Sequence, residues 1–484
     1  MTDIQNLQKT KIESLSHDGR GVAHINGKAT FIENALADEE ITFIYTRRHN
    51  KFDEAKTVEI LHTSCDRVKP ECPHFGVCGG CALQHIDSIK QIEFKTNNLK
   101  EHFKHFGDVD DLNILPPISG PAWHYRSRAR LSIKYVQKKQ KVLVGFHEKN
   151  GRYVAEIDQC PILHETISNK ILDLGNLISS LAIYNQIPQV EVACGDNITA
   201  LLFRHLAPLS EQDLELLEKF GQEHNFQIYL QSGGVDTIKP LSQGNCSFGV
   251  HHCEPHAFNG ARQSINTLDC FAKSARNDEA EQTGRVITSQ KHIPLSYKFP
   301  NHDIEMLFAL TDFTQINQEV NQKMVDLVID LLAINPEDKI LDLFCGIGNF
   351  TLPIAKKCRQ IVGVEGNNHA IIRAKQNAGH NKITNAEFYS ADLTKDLTGE
   401  LWAGQKYDKI LLDPPRTGAQ EICAQIKKFG AKKIVYVSCN HATLARDTKD
   451  LIQSGYKLQN VRVVNMFPHT AHIETIAVFS RPEN

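Results

Sequence analysis

Within Cys72-Pro-His-Phe-Gly-Val-Cys78-Gly-Gly-Cys81, three thiols are separated by five and then two residues. Thiolates so close together repel unless a cation holds them, and Gly79-Gly80 lets backbone wrap tightly around one. The spacing is near the Cys-x4-Cys-x2-Cys of iron–sulfur ligation, which draws its fourth cysteine from far away. Cys160, in Asp158-Gln-Cys-Pro-Ile, is the best fourth candidate, because Pro161 and the acidic turn make a ligand-like loop. Zinc held by four cysteines is the competing assignment. Cys65 stands outside the spacing and reads as an ordinary buried thiol. A different cysteine, Cys439, closes the apolar run Val435-Tyr-Val-Ser438, at a strand end that faces a crevice. A thiolate there is a nucleophile, provided its pKa is lowered by the helix N-terminus that follows together with a positive sulfonium. Phe467-Pro-His-Thr-Ala-His-Ile-Glu474 then offers His469, His472 and Glu474 as proton acceptors, of which Glu474 is the choice.

Elements must bring these groups together. Ile340-Leu-Asp-Leu-Phe-Cys-Gly-Ile-Gly-Asn-Phe350 reads as a strand from Lys339 to Leu343, a turn at Gly346 and Gly348, and a helix opened by Thr351 to Ala355. In that arrangement backbone comes close to a nucleotide-like ligand at a helix N-terminus. Seventeen residues past Gly348, Ile361-Val-Gly-Val364 ends in Glu365, an acid placed to grip ribose hydroxyls. Asp392 closes a strand-like run at Glu387-Phe-Tyr-Ser-Ala, and Asp413 closes another at Ile410-Leu-Leu. The lone Gly-x-Gly points away from pyrophosphate binding. These three strand-end acids resemble the S-adenosylmethionine (SAM) site of a Rossmann-like methyltransferase. Strand and helix signals alternate from about residue 310, through Phe313-Thr-Gln-Ile-Asn317 and an amphipathic helix at Val320 to Leu332, to Thr475-Ile-Ala-Val-Phe. They predict an α/β doubly wound sheet with ligands beyond the carboxyl ends of its strands.

At 484 residues the chain has room for two to four domains, and a formal charge of −3 neither demands nor excludes nucleic acid. Thirteen cysteines, an odd count at irregular spacing, argue against a disulfide framework. With no signal peptide and no apolar run approaching membrane length, the expectation is a cytoplasmic protein without membrane contact. Strand runs and turns at Asp18-Gly-Arg-Gly21 and Asn26-Gly27 predict a small all-β barrel over residues 1–66, of the oligonucleotide-binding (OB) type. It resembles a TRAM domain, an RNA-binding module, and Arg47, Arg48 and Lys51 lie where they could meet phosphate. Residues 67–310 read as a β-rich central domain that carries the cysteine loop and a helix at 210–224. From Trp123 to Lys141 it has seven Lys or Arg and no acid. Arg126, Arg128 and Arg130 recur at period two, on one face of a strand interleaved with Trp123, Tyr125 and Tyr135, which suits single-stranded RNA. A polar stretch at 255–292 reads as a surface loop or disordered insertion. Residues 311–484 form the methyltransferase domain.

Two strand-end clusters narrow the reaction. Asp413-Pro-Pro-Arg416 has arginine where amino-methyltransferases tend to place an aromatic ring, which counts against nitrogen methylation. Carbon 5 of uracil is too electron-poor to take a methyl group directly, whereas thiolate addition at carbon 6 makes an enolate that can attack the sulfonium methyl. DNA cytosine-5 enzymes use Pro-Cys, and no cysteine here follows a proline. On CPHFGVCGGC, FTQIN, DLFCGIGNFTLP, DPPRTGA, YVSCN, ATLARD and MFPHTAHIE, the chain resembles the RNA uracil-5-methyltransferase family, and most closely its iron–sulfur branch acting on bacterial 23S ribosomal RNA (rRNA). The resemblance implies SAM contacts at Gln315, Phe344, Asn349, Glu365, Asp392 and Asp413, the nucleophile at Cys439 and the base at Glu474. It also implies a [4Fe–4S] cluster on Cys72, Cys78, Cys81 and Cys160, and a monomer that needs no protein partner. A tRNA uracil-5-methyltransferase is the nearest rival, but that branch usually lacks the TRAM domain and the cysteine cluster. A non-catalytic RNA-binding assembly factor is the second rival, and intact Cys439, Glu474 and strand-end acids speak against it.

Overall fold

The computed structural model describes residues 7–149, 151–241 and 293–481, so the expected insertion at 255–292 lies outside the described residues. Among the described residues no helix is long and apolar enough to cross a membrane. Near the N-terminus, six strands pair in the order Gln8–Lys11, Glu40–Arg48, Phe52–His62, Lys28–Glu33, Gly21–Ile25 and Ser14–Leu15. Both edges belong to one bent stretch of chain, so the sheet closes on itself as a small barrel. Ile12, Ala23, Ile32, Ile41, Phe43 and Ala55 fill it. Asn26 and Gly27 have φ of 52° and 79°, the left-handed pair that a type I′ hairpin requires. Cys65, expected to be buried, is exposed beside Asp66 just beyond the last barrel strand, where no apolar layer covers it.

A second six-stranded sheet runs Lys239–Pro240, Phe226–Gln231, Thr199–Arg204, Gln189–Cys194, Arg128–Val136, Lys141–Gly145. Helices Ile171–Ser180 and Glu211–His224 pack on it through Leu174, Ile178, Leu217 and Phe220. The latter helix starts at a Ser210–Asp213 capping box, which satisfies two free N–H groups at its N-terminus. Arg128 and Arg130 do share one face of this sheet, but not as a free basic surface. The Arg128 guanidinium donates to the carbonyls of Leu310 and Asp312, and to Thr314 Oγ1 at 3.3 Å. Arg130 pairs with Glu191 on the next strand at 3.1 Å, and Arg126 Nε donates to the Arg128 carbonyl at 3.0 Å. Neighbouring segments supply acceptors that a window of sequence does not show.

The C-terminal sheet has eight strands, ordered Ala386–Ser390, Gln360–Glu365, Lys339–Leu343, Lys409–Leu412, Lys433–Ser438, Glu474–Ser480, Lys457–Val464 and Ile114–Ile118. The first five run parallel, while Glu474–Ser480 is antiparallel to both of its neighbours. Buried on both faces, the four parallel strands inside the edge strand Ala386–Ser390 are near-continuous apolar runs. Two pieces arrive from earlier in the chain. Helix Ser88–Gly107 puts Leu99 and Phe103 into the same core as Leu444 and Ala445, and strand Ile114–Ile118 pairs with Lys457–Val464. The hairpin Leu295–Phe299 with Ile304–Phe308 shares a core with Met324, Val325 and Ile340.

Candidate active site

Sheet geometry decides which side chains meet. At the carboxyl end of Lys339–Leu343 the chain turns through Phe344, Gly346 and Gly348, with φ of 67°, 54° and 95°. Left-handed backbone suits the glycines and is strained at Phe344, an expense that clusters at ligand clamps. A Cβ on Gly346 would meet nothing within 4 Å, so the turn leaves open space there. Glu365 faces that space, its carboxylate accepting from Gly346 N–H at 3.2 Å and Asn367 N–H at 2.8 Å. Asp392 is exposed, and hydrogen bonds from Thr394 with the Lys395 ammonium hold it down at about 2. Asn349 exchanges hydrogen bonds with Asn321 at 3.0 Å and accepts from Tyr297 at 2.9 Å. Gln315 sits half-buried in a segment pinned where Ser127 donates to the Ile316 carbonyl at 2.8 Å. The structure thus places Phe344, Glu365, Asp392 and Asp413 at the carboxyl ends of the parallel strands, Asn349 just past the glycine turn, and Gln315 in the segment that precedes helix Gln318–Leu332.

Cys439 and Glu474 are brought together by the antiparallel strand. Ser438 pairs with Thr475, so the next residue on each strand, Cys439 and Glu474, leaves the ladder at the same end. Glu474 is 3% exposed, and burial raises its carboxyl well above the usual range, with the Asp413 charge adding to that and Arg416 opposing it. Burial also pushes Asp413 up to about 8, helped by Asp342 and Glu365. The helix N-terminus alone does not lower the Cys439 thiol, which is raised to about 11. Burial is the main cause, Glu474 and Asp413 add to it, and Arg416 pulls it back. A helix does begin just after it, with Asn440 accepting from Ala442 N–H at 3.1 Å, but its positive end does not outweigh desolvation and two carboxyls. Of the rival acceptors, His469 is lowered by burial to about 4 and is tied into the loop. His472 is lowered by burial and by the Arg416 charge.

The four named cysteines line one small cavity, together with His74, Phe75, Phe146 and Pro161. Cys160 reaches it from the loop ahead of Ser168, where its N–H is held by the Ser168 carbonyl at 2.9 Å. Burial pushes Cys81 and Cys160 up to about 12, and the other thiols of the cavity raise them further. Among the described residues no three His, Cys, Asp or Glu side chains converge tightly enough for one metal ion.

Several residues at the site escaped the sequence reading. Arg416 is the cation nearest both Cys439 and Glu474 in effect, and only its place in Asp-Pro-Pro-Arg signalled it. Asn440 donates to the Arg416 carbonyl at 2.9 Å and Arg446 to that of Thr417 at 2.9 Å, pinning the loop to the helix. Asp342, fully buried, accepts from Thr351 at 2.5 Å through one oxygen and leaves the other without a partner. Burial pushes it up to about 7.

Known proteins share this layout. The family described as tRNA (Uracil-5-)-methyltransferase matches residues 280–481. A protein of Nitrosococcus oceani described as 23S rRNA (uracil(1939)-C(5))-methyltransferase RlmD is 45% identical over 480 residues, covering 99% of this chain and 97% of that one. Its counterpart in Francisella tularensis is 43% identical over 99% of this chain and 97% of its own. The crystal structure of a Pyrococcus abyssi tRNA (uracil-54, C5)-methyltransferase in complex with S-adenosyl-L-homocysteine matches with a TM-score of 0.69 over 98% of this chain and 100% of that one. Its 22% identity makes that a likeness of fold. Identity above 40% along nearly the entire length leaves one conclusion: the chain belongs to the RNA uracil-5-methyltransferase family.

Proposed function

We propose that this protein is a cytoplasmic, SAM-dependent methyltransferase that makes 5-methyluridine in 23S rRNA, with Cys439 as nucleophile and Glu474 as base. The observation that carries the reading is the Ser438–Thr475 register, which sets the thiol and the acid side by side at the open end of the sheet. The relatives described as acting on 23S rRNA support the choice of RNA. Bound SAM supplies the methyl group as a sulfonium. Glu365 would hold the ribose hydroxyls, and Gln315, Phe344, Asn349, Asp392 and Asp413 would hold the rest of the SAM molecule. Cys439 loses its proton with Arg416 favouring the thiolate, and its Sγ bonds to carbon 6 of a uracil turned out of its stack. After carbon 5 has taken the methyl group, Glu474 accepts the carbon 5 proton and the bond from Sγ to carbon 6 breaks. Burial of Glu474 suits this step, since a carboxylate raised by desolvation is a stronger base.

The same proposal assigns Cys72, Cys78, Cys81 and Cys160 to a [4Fe–4S] cluster, and the cavity that all four line supports a shared ligand. Residues 1–66 act as a TRAM-like RNA-binding barrel, residues 67–310 guide RNA and residues 311–484 transfer the methyl group. Full-length protein incubated with labelled SAM and either 23S rRNA or tRNA transcript tests this. Label in uracil of the 23S transcript is expected. Label in tRNA alone would reassign the substrate, and label in neither would leave the assembly-factor reading. Glu474→Gln should accumulate a labelled protein–RNA adduct that survives denaturation, while Cys439→Ala should form neither adduct nor product. Loss of a general base slows its step by about 100- to 10,000-fold, enough to see the adduct on a gel.

A further inference from the structure

We propose that His469 is the positioning residue for Glu474, anchoring the loop that delivers this acid to the segment just after Cys81. The proposal rests on Glu474 being the proton acceptor. Val464 and Glu474 face each other across an antiparallel pair, so the 465–473 loop between them sets where the carboxyl begins. Three distant parts of the chain grip that loop. Ala82 and Leu83 both donate N–H to the His469 carbonyl, at 2.9 and 3.0 Å. From helix Ser88–Gly107, Gln91 Oε1 accepts the His469 N–H at 2.9 Å and Gln91 Nε2 meets the ring Nδ1 at 3.2 Å. Lys95 Nζ donates to Asn465 Oδ1 at 2.7 Å and to the Phe467 carbonyl at 2.9 Å. Tyr125 OH donates to the Pro468 carbonyl at 3.0 Å, and Trp123 stacks on the His469 ring with centroids 4.1 Å apart.

These contacts converge on an uncommon backbone state. His469 has φ of 64°, a left-handed conformation that costs a non-glycine residue about 1–2 kcal/mol and persists only when its surroundings over-determine it. A loop that only joined two strands would need no partner 378 residues away. The turn presents one carbonyl to two N–H donors at once, and those donors directly follow Cys81 in the cavity wall. The cysteine loop and the base of the methyl transfer are therefore joined through one residue.

The test uses the left-handed requirement. His469→Val excludes that conformation because its side chain is β-branched, whereas His469→Gly and His469→Asn accept it. With labelled SAM and rRNA transcript, His469→Val should still form the covalent adduct and then release product about 100-fold more slowly, the effect of a displaced catalytic group. His469→Gly and His469→Asn should restore turnover. Hydrogen exchange at the Ala82 and Leu83 amides should quicken in the valine variant and not in the asparagine variant. A purely structural role would lower adduct and product in parallel, and an unchanged adduct-to-product ratio overturns the proposal. If His469→Val does not fold, Lys95→Met is measured the same way, and an unchanged ratio there overturns it equally. Normal turnover in His469→Val while Glu474→Gln traps adduct removes the positioning role and leaves the base in place. Absence of adduct in Glu474→Gln itself overturns both.

Discussion

The cysteine cavity and the Cys439 crevice both raise their thiols, in opposite company. In the cavity, thiols raise one another inside an apolar wall, and no side-chain cation stands among the causes. In the crevice, Cys439 stands beside two carboxyls with Arg416 in opposition. A permanent positive centre relieves the first arrangement and suits ligation. The second needs relief only while substrate is present, which suits a nucleophile that must bond and leave. Exchanging serine for each kind of cysteine should break this comparison most strongly if it is mistaken. Cys439→Ser should keep its iron and lose methyl transfer by at least about 10,000-fold, as enzymes do when a nucleophile is removed. Cys160→Ser should lose iron and visible colour, while equilibrium dialysis still finds labelled SAM bound. Iron retained in Cys160→Ser would move the fourth ligand elsewhere, and wild-type protein with zinc and no iron would end the cluster assignment.

Sequence carried the local half of each site and missed the long-range half. The strand, Gly346–Gly348 turn and helix, the strand-end acids and the cysteine spacing are written in contiguous residues, because backbone geometry and ligand spacing are local. The pairing of Cys439 with Glu474 depends on the last strand running antiparallel, which apolar runs do not reveal. The effect of Asp413 and Glu474 on the Cys439 thiol was missed for the same reason: both come from other strands. Helix Ser88–Gly107 and strand Ile114–Ile118 fall within the span read as the central domain, and Pro116 and Pro117 hide the strand, so nothing there says that both join the C-terminal sheet.

The strand at Arg126 to Arg130 links the two sites and sharpens the contrast between them. Arg126 lies 5.7 Å from the Phe146 ring at the cavity, and its charge reaches His472 beside the crevice. Arg128 is bound to backbone carbonyls and Arg130 is exposed. Arg128→Gln should therefore lower stability by about 2–3 kcal/mol, because it strips charge-assisted hydrogen bonds from buried carbonyls. Arg130→Gln should leave Tm unchanged and reduce the salt slope of RNA binding by about 1. Thermal melts and binding across a salt series read the two effects separately. Equal changes in both variants would mean that the strand presents one functional face after all.

The pH-dependent effect concerns Asp413, the carboxyl through which the crevice differs most from the cavity. Its folded pKa of about 8 lies above the unfolded value near 4, so the native state holds its proton more tightly. The resulting stability is complete below about pH 4 and is lost as pH rises through about 8, where a desolvated charge must form beside Asp342 and Glu365. Asparagine carries no such charge at any pH. Asp413→Asn, melted without SAM, should therefore gain on the wild type as pH rises from 5 to 9, with about 2–4 °C for each ~1 kcal/mol in a domain of this size. A pH-independent difference for Asp413→Asn would show that its carboxyl is not forced to ionise in an apolar setting, and that the crevice is better solvated than its burial implies.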